Sequence, residues 1–266
     1  MSLRSFVLAL VVAGLAWATQ IQQASAANLE QRAKDLLDSR PSRSILVIGN
    51  SRTLFNDMPG MLRTIADSAG SSAKFEVESS AIPGATFRDH WDNRRSQALL
   101  RERWDDVILQ PESGAQVSQQ GNEDFLPYGA RLGAVIGGTG SRGYLVLGWP
   151  YDAALYSDPD YTEEGFGRSD HLALIREMDH KLASKAGLAR INVVGPWEAV
   201  RASAPSVRLT LDGNHPTVAG TYVYALATYA SLSDGPVSAV TYVPPGLSAQ
   251  DAKTLRDAVD SAPRSR

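Results

Sequence analysis

Three side chains far apart in the sequence could together run nucleophilic chemistry. Ser51 follows the apolar run Ile45-Leu46-Val47-Ile48, then Gly49 and the polar Asn50. A hydroxyl at the carboxyl end of a buried strand is exposed at the mouth of a sheet, close to backbone N–H groups able to receive an oxyanion. Such a serine needs a base, and His215 supplies one within Leu211-Asp212-Gly213-Asn214-His215-Pro216-Thr217. Asp212 stands three residues before the histidine, so one short loop presents both groups. Its carboxylate can then hold the imidazole in the tautomer that a general base requires. The three types in these places point to acyl transfer through a covalent acyl-serine. Each also has a bland reading: Ser51 as the N-cap of the next helix, Asp212 as a cap of the last helix, His215 as a loop histidine with its hydrogen bonds satisfied.

Those residues need a scaffold that brings residue 51 to residue 215. Residues 45–48 are four consecutive aliphatics, three of them β-branched, which reads as a strand buried on both faces of a parallel sheet. Further strands are expected at Lys74–Glu78, Val107–Gln110, Tyr144–Gly148 and Ile191–Val194. Helical spacing marks Met58–Ala69, ended by Gly70, then Phe87–Arg103, Phe125–Ile136, His171–Ala186, Val218–Leu232 and a short helix at Asp251–Val259. Five strands alternating with helices imply right-handed crossovers and an α/β, three-layer αβα sandwich around a five-stranded parallel sheet.

The long segment from Tyr151 to Arg168, at a strand's carboxyl end, reads as a binding loop. Trp149, Tyr151, Tyr156 and Tyr161 could stack on a sugar or acyl group, or pin the loop itself, and the residue types do not choose between these. Trp149, Tyr151 and the strand-end Asn50 are taken as candidate substrate contacts. Asp158, Asp160, Glu163 and Glu164 match no calcium-loop spacing and read as a solvated acidic loop. His171 and His180 lie nine apart with no partner at ligand spacing, so they are expected on the surface, and no metal or cofactor is implied.

Gly49-Asn50-Ser51 near the N-terminus, together with Asp212-x-x-His215-Pro216 near the C-terminus, resembles the SGNH (GDSL-type) hydrolase superfamily, in the branch whose first block reads Gly-Asn-Ser. Gly84, in Ser80-Ala81-Ile82-Pro83-Gly84-Ala85-Thr86, resembles the second block, and the resemblance spans about residues 44–232. It implies a flavodoxin-like strand order 2-1-3-4-5, the triad Ser51, Asp212 and His215, and an oxyanion hole built on the N–H groups of Ser51 and Gly84. The superfamily's third block usually supplies an asparagine to that hole. Here the strand end Leu109-Gln110-Pro111-Glu112-Ser113 has none, and Gln110, with the same carboxamide on a longer stem, is the candidate substitute. The activity implied is hydrolysis of short acyl esters, acetyl-type, on cell-envelope or environmental carbohydrates. A non-catalytic carbohydrate-binding protein on the same fold and an acyltransferase using the same serine are the alternatives.

The chain has 266 residues, 43% hydrophobic and 21% charged, ample for a sizeable core. Cysteine is absent, which excludes disulfides and thiolate chemistry. Arg4, the apolar run Phe6–Trp17 and Ala24-Ser25-Ala26 compose a secretory signal peptide over residues 1–26, leaving one domain at 27–266 and an exported, periplasmic or secreted, protein. The formal charge of −3 becomes −4 without Arg4, too mild to expect nucleic acid or an anionic membrane as partner. The partner expected is a small-molecule or carbohydrate ester.

Overall fold

A computed structural model of the chain describes residues 38–117, 119–158, 161, 166–233 and 235–263, without the side chains of 119–122. The chain divides into two compact units, residues 1–41 and 42–266. The signal-peptide segment and the lead-in up to residue 37 lie outside the described residues, as do Asp160, Glu163 and Glu164 of the acidic loop. In the first unit the Arg40 guanidinium pairs with the Asp38 carboxylate.

The second unit carries β1 (Ser42–Gly49), α1 (Ser51–Leu54), α2 (Met58–Ser68), β2 (Lys74–Ala81), α3 (Phe87–Asp92), α4 (Arg94–Leu100) and β3 (Asp106–Leu109). After them come α5 (Gln119–Thr139), β4 (Arg142–Leu147), α6 (Arg168–Ala186), β5 (Ala189–Asn192), α7 (Val194–Ser203), α8 (Val218–Leu232) and α9 (Ala249–Ser261). All five strands are parallel, in the order β2-β1-β3-β4-β5. β1 lies second in the sheet, pairing β2 from Ser42↔Lys74 to Gly49↔Ala81 and β3 from Ile45↔Asp106 to Ile48↔Leu109.

The aliphatic run behaves as its composition demands. Side chains alternate across a strand, so Ile45 and Val47 enter one core while Leu46 and Ile48 enter the other, all fully buried. On the first face lie α2, α7, α8 and α9, through Met58, Ile65, Trp197, Tyr222 and Leu255. On the second lie α3, α4, α5 and α6, through Phe87, Leu100, Phe125 and Leu182. This is the three-layer sandwich that the alternating pattern implies. Asp106, fully buried at the start of β3, is compensated by Arg43 at 2.6 Å and Arg142 at 3.0 Å from the flanking strands.

Two expected elements differ. The single helix expected at Phe87–Arg103 is two, because Asn93 is extended (φ −85°, ψ 122°) and caps α4 by accepting from the Ser96 N–H. Fifth-strand pairing stops at Asn192, and residues expected to end a strand open α7 instead. Pro196 in its first turn forfeits no helical hydrogen bond.

Candidate active site

β1 ends at a glycine for a steric reason. A Cβ on Gly49 would lie 2.5 Å from Thr53 Oγ1 and 2.8 Å from Gln110 Oε1, so only glycine lets the chain turn sharply out of the sheet into α1. Asn50 caps that helix, its Oδ1 accepting from the Arg52 N–H at 3.1 Å. Ser51, the first residue of α1, is thus lifted to the carboxyl edge of the sheet. The turn continues through Phe55, Asn56 and Asp57, of which Asn56 (φ 54°) and Asp57 (φ 49°) hold left-handed backbone that costs a non-glycine residue about 1 kcal/mol or more.

His215 arrives from the opposite end of the chain. An antiparallel bridge between Thr210 and Pro216 and the Leu211 N–H donating to the His215 carbonyl (2.8 Å) close a tight loop over residues 211–215. Gly213 at its apex has φ 92°, which suits glycine, and its carbonyl accepts from the Asp152 N–H at 2.8 Å. Within the loop Asp212 Oδ1 accepts from the N–H groups of Asn214 (2.9 Å) and His215 (2.7 Å). The other oxygen, Oδ2, lies 2.7 Å from His215 Nδ1, and His215 Nε2 lies 3.0 Å from Ser51 Oγ. Partial burial pushes the Asp212 carboxyl up, but its hydrogen bonds to the His215 ring and to two backbone N–H groups outweigh that and hold it below the usual range. With Asp212 accepting from Nδ1–H, Nε2 has a lone pair directed at Ser51 Oγ and is able to accept its proton. The Phe55 ring stacks on the imidazole at 4.5 Å and 21°, fixing its plane.

Gln110, Asn50, Trp149 and Tyr151 serve the scaffold. Gln110 is buried, with Oε1 accepting from the Asn50 N–H (3.0 Å) and Thr53 Oγ1 (3.0 Å) and Nε2 donating to the Pro111 carbonyl. The expectation that its amide binds an oxyanion is corrected: both ends of the amide are spent on backbone and on Thr53, and it holds the segment from Asn50 to Thr53. Asn50, also buried, spends Nδ2 on the carbonyls of Pro111 and Ala85 and does not face a substrate. Trp149 is 1% and Tyr151 2% exposed, so neither presents a face to a sugar. Trp149 stacks on Trp197 at 4.1 Å, and Tyr151 meets Tyr156, Tyr161 and His171 ring to ring. The aromatics pin the loop. Gly84 is exposed, with φ 70°, in the loop after β2.

Three buried residues carry weight that their sequence context hides. His90, on α3, meets the Gly49 carbonyl through Nε2 at 2.9 Å and Ser96 Oγ through Nδ1 at 2.9 Å, tying the helix to the end of β1. Burial pushes its imidazole below the ordinary value, which keeps it neutral. His171, expected on the surface, is fully buried with Nδ1 at 2.9 Å from Tyr156 OH. Arg52, the residue after Ser51, is 3% exposed. Among the described residues no group of three or more metal-ligating side chains converges, and no helix is long and apolar enough to cross a membrane.

No protein-family model matches the sequence, and no curated protein does. Solved structures do. A candidate SGNH hydrolase from Slackia heliotrinireducens is 27% identical, with a TM-score of 0.60 over 72% of this chain and 100% of its own. A DUF4886 family protein from Bacteroides uniformis is 19% identical, with a TM-score of 0.68 over 82% and 93% of the two chains. A catalytic mutant of an acetylxylan esterase from Geobacillus stearothermophilus is 17% identical, with a TM-score of 0.51 over 71% and 93%. A parallel sheet in the order 2-1-3-4-5, with serine and histidine meeting at its carboxyl edge, defines a hydrolase of the α/β class. Within that class the chain resembles the SGNH hydrolases, in its fold and in the meeting of Ser51 with His215.

Proposed function

We propose that this protein is a serine esterase that removes short acyl groups, acetyl above all, from carbohydrate outside the cytoplasm. The observation that carries the reading is the continuous relay from Ser51 Oγ to His215 Nε2 (3.0 Å) and from His215 Nδ1 to Asp212 Oδ2 (2.7 Å). In the forward step Ser51 Oγ attacks the ester carbonyl as its proton passes to His215 Nε2, and Asp212 supports the imidazolium. The N–H groups of Ser51 and Gly84 receive the oxyanion; each such donor contributes about 3–4 kcal/mol to lowering the barrier. The tetrahedral intermediate expels the alcohol, which takes its proton from His215. Water, deprotonated by the same imidazole, then attacks acyl-Ser51; the acid leaves as the imidazolium returns its proton to Ser51 Oγ.

The acyl preference rests on the surroundings. A cavity of about 470 Å³ bordered by Asp212, Arg201, Arg208 and Thr210 lies against the base loop, and one of about 420 Å³ bordered by Gly84, Asp89, Asp92 and Asn93 lies against the second-block loop. Both walls mix these polar side chains with small apolar ones, Val207 and Leu209 in the first and Ile82 and Ala85 in the second, which suits a sugar ring with its polar edges and apolar faces. The acetylxylan esterase of the same fold supports the carbohydrate assignment by analogy of fold alone.

Hydrolysis of p-nitrophenyl acetate, butyrate and octanoate by the protein, beside Ser51→Ala and His215→Ala, tests the reading. Acetate is expected to be cleaved fastest, and each substitution to lower kcat on the order of 10⁴-fold or more. Failure of an organophosphonate to label Ser51 in a folded, inert protein would leave the fold as a non-catalytic binder. Acyl transfer to added sugar in place of free acid would make it a transferase.

A further inference from the structure

We propose that Arg52 is a positioning residue for His215: its buried guanidinium fastens the loop that carries the base to the segment that carries the nucleophile. The inference rests on the esterase reading of Ser51 and His215. Burying a guanidinium costs several kcal/mol unless it is paired. Among the described residues Arg52 is hydrogen-bonded to no carboxylate. Its Nε donates to Asn214 Oδ1 at 3.0 Å, its Nη1 to the Trp149 carbonyl at 3.0 Å, and Nη2 is buried without a partner. The carboxyls of Glu112 and Asp212 favour its charge from a distance, without a hydrogen bond to it. What the charged fork adds is a grip on Asn214, the residue beside the base.

The grip is part of a pattern. Arg52 holds the side chain of Asn214, Phe55 stacks on His215, and Asn56 Nδ2 donates to the Pro216 carbonyl at 3.1 Å. Three consecutive residues of the base loop are thus held by the one short segment that presents Ser51, whose left-handed backbone at Asn56 and Asp57 is kept despite its strain. Trp149 closes the circuit: its Nε1 donates to the Asn214 carbonyl at 3.0 Å, and its ring lies against the Arg52 guanidinium at 4.3 Å. The distance between nucleophile and base is therefore set by contacts at the site itself, added to the frame of the sheet. A displacement of about 1 Å in such a pair costs on the order of 10²-fold in rate.

The test compares Arg52→Met, Arg52→Lys and Asn214→Ala with the wild type by steady-state kinetics on p-nitrophenyl acetate, thermal melting, and the low-field proton NMR signal of His215 Nδ1–H bonded to Asp212. Each folded variant is expected to lose kcat on the order of 10²-fold with KM within twofold, and to lose or broaden the low-field signal. Lysine should not rescue, because a single ammonium cannot reach two acceptors as the planar fork does. The double variant Arg52→Met/Asn214→Ala should be no worse than Arg52→Met alone, since both remove one contact. An intact low-field signal in the folded variants overturns the proposal, whatever happens to kcat. If Arg52→Met does not fold, Asn214→Ala, which removes only the acceptor, decides. A wild type that neither hydrolyses ester nor takes phosphonate at Ser51 refutes the esterase reading, and the proton signal still decides the role of Arg52.

Discussion

Acidification from pH 7 to pH 4.5 is expected to cost this protein about 2.5 kcal/mol of folding stability at a single residue, His171. Burial, and after it the charges of Arg52 and Arg168, lowers the His171 imidazole from 6.5 to about 3. The ring is enclosed by Tyr151 (5.0 Å between centroids) and Tyr156 (6.0 Å), and Nε2 has no partner to receive an added proton's charge. The native state therefore refuses a proton that the unfolded chain accepts below pH 6.5, so stability falls as pH falls through that window. Each full unit costs about 1.4 kcal/mol, and two units, less the small part already present at pH 7, give about 2.5 kcal/mol. Urea unfolding followed by circular dichroism at both pH values, for wild type and His171→Gln, isolates the effect. Glutamine can still meet the Tyr156 hydroxyl but cannot titrate. Asp179, whose carboxyl burial pushes well above the usual range, acts with the opposite sign, losing stability as pH rises, and cancels in the difference between the two proteins. An equal loss of stability in wild type and variant would refute the reasoning, because it would mean the imidazole reaches solvent.

Two further substitutions test the scaffold of the site. Gln110→Ala strips the partner from the buried Asn50 N–H and Thr53 hydroxyl, at about 1–3 kcal/mol for each unsatisfied group, so melting temperature and activity should fall together. A kcat loss of 10²-fold or more at unchanged melting temperature would instead return Gln110 to the oxyanion hole. Gly220→Ala places a Cβ 2.2 Å from the Leu209 carbonyl oxygen and 2.9 Å from the Trp197 ring, and should destabilise by about 1–3 kcal/mol while pushing α8 away from the base loop. A melting temperature equal to the wild type's would show that the helix yields freely there.

How much of this was legible in the sequence follows the range of the interactions. Ile45–Ile48 announced a two-faced strand because local composition decides that property, and the buried pattern of β1 matches it. Ser51, Asp212 and His215 stood out because a strand-end serine and a single loop are local features, though no local feature states that they meet. Trp149 and Tyr151 could not be read: a ring that stacks on a ligand and one that stacks on Trp197 have the same neighbours in sequence. Arg52 was hidden for a similar reason, since a lone arginine is usually solvated and its burial depends on Asn214, 162 residues away. His171 lies on a helix with charged neighbours, and only the tyrosines of the preceding loop bury it. Gln110 was placed at the right strand end, but the direction of its amide was set by Asn50 and Thr53, which no spacing rule reports.

The stacked pair Trp149 and Trp197, parallel to within 5°, also gives the molecule an optical signature. Two indoles held face to face couple their electronic transitions, so their circular dichroism should carry a split band that isolated tryptophans lack. With Trp197 on one face and the Arg52 guanidinium on the other, Trp149 sits in a layered arrangement whose edge nitrogen touches the base loop at Asn214. The amplitude of that band is thus an unlabelled gauge of whether the loop is seated, readable in the resting protein without substrate.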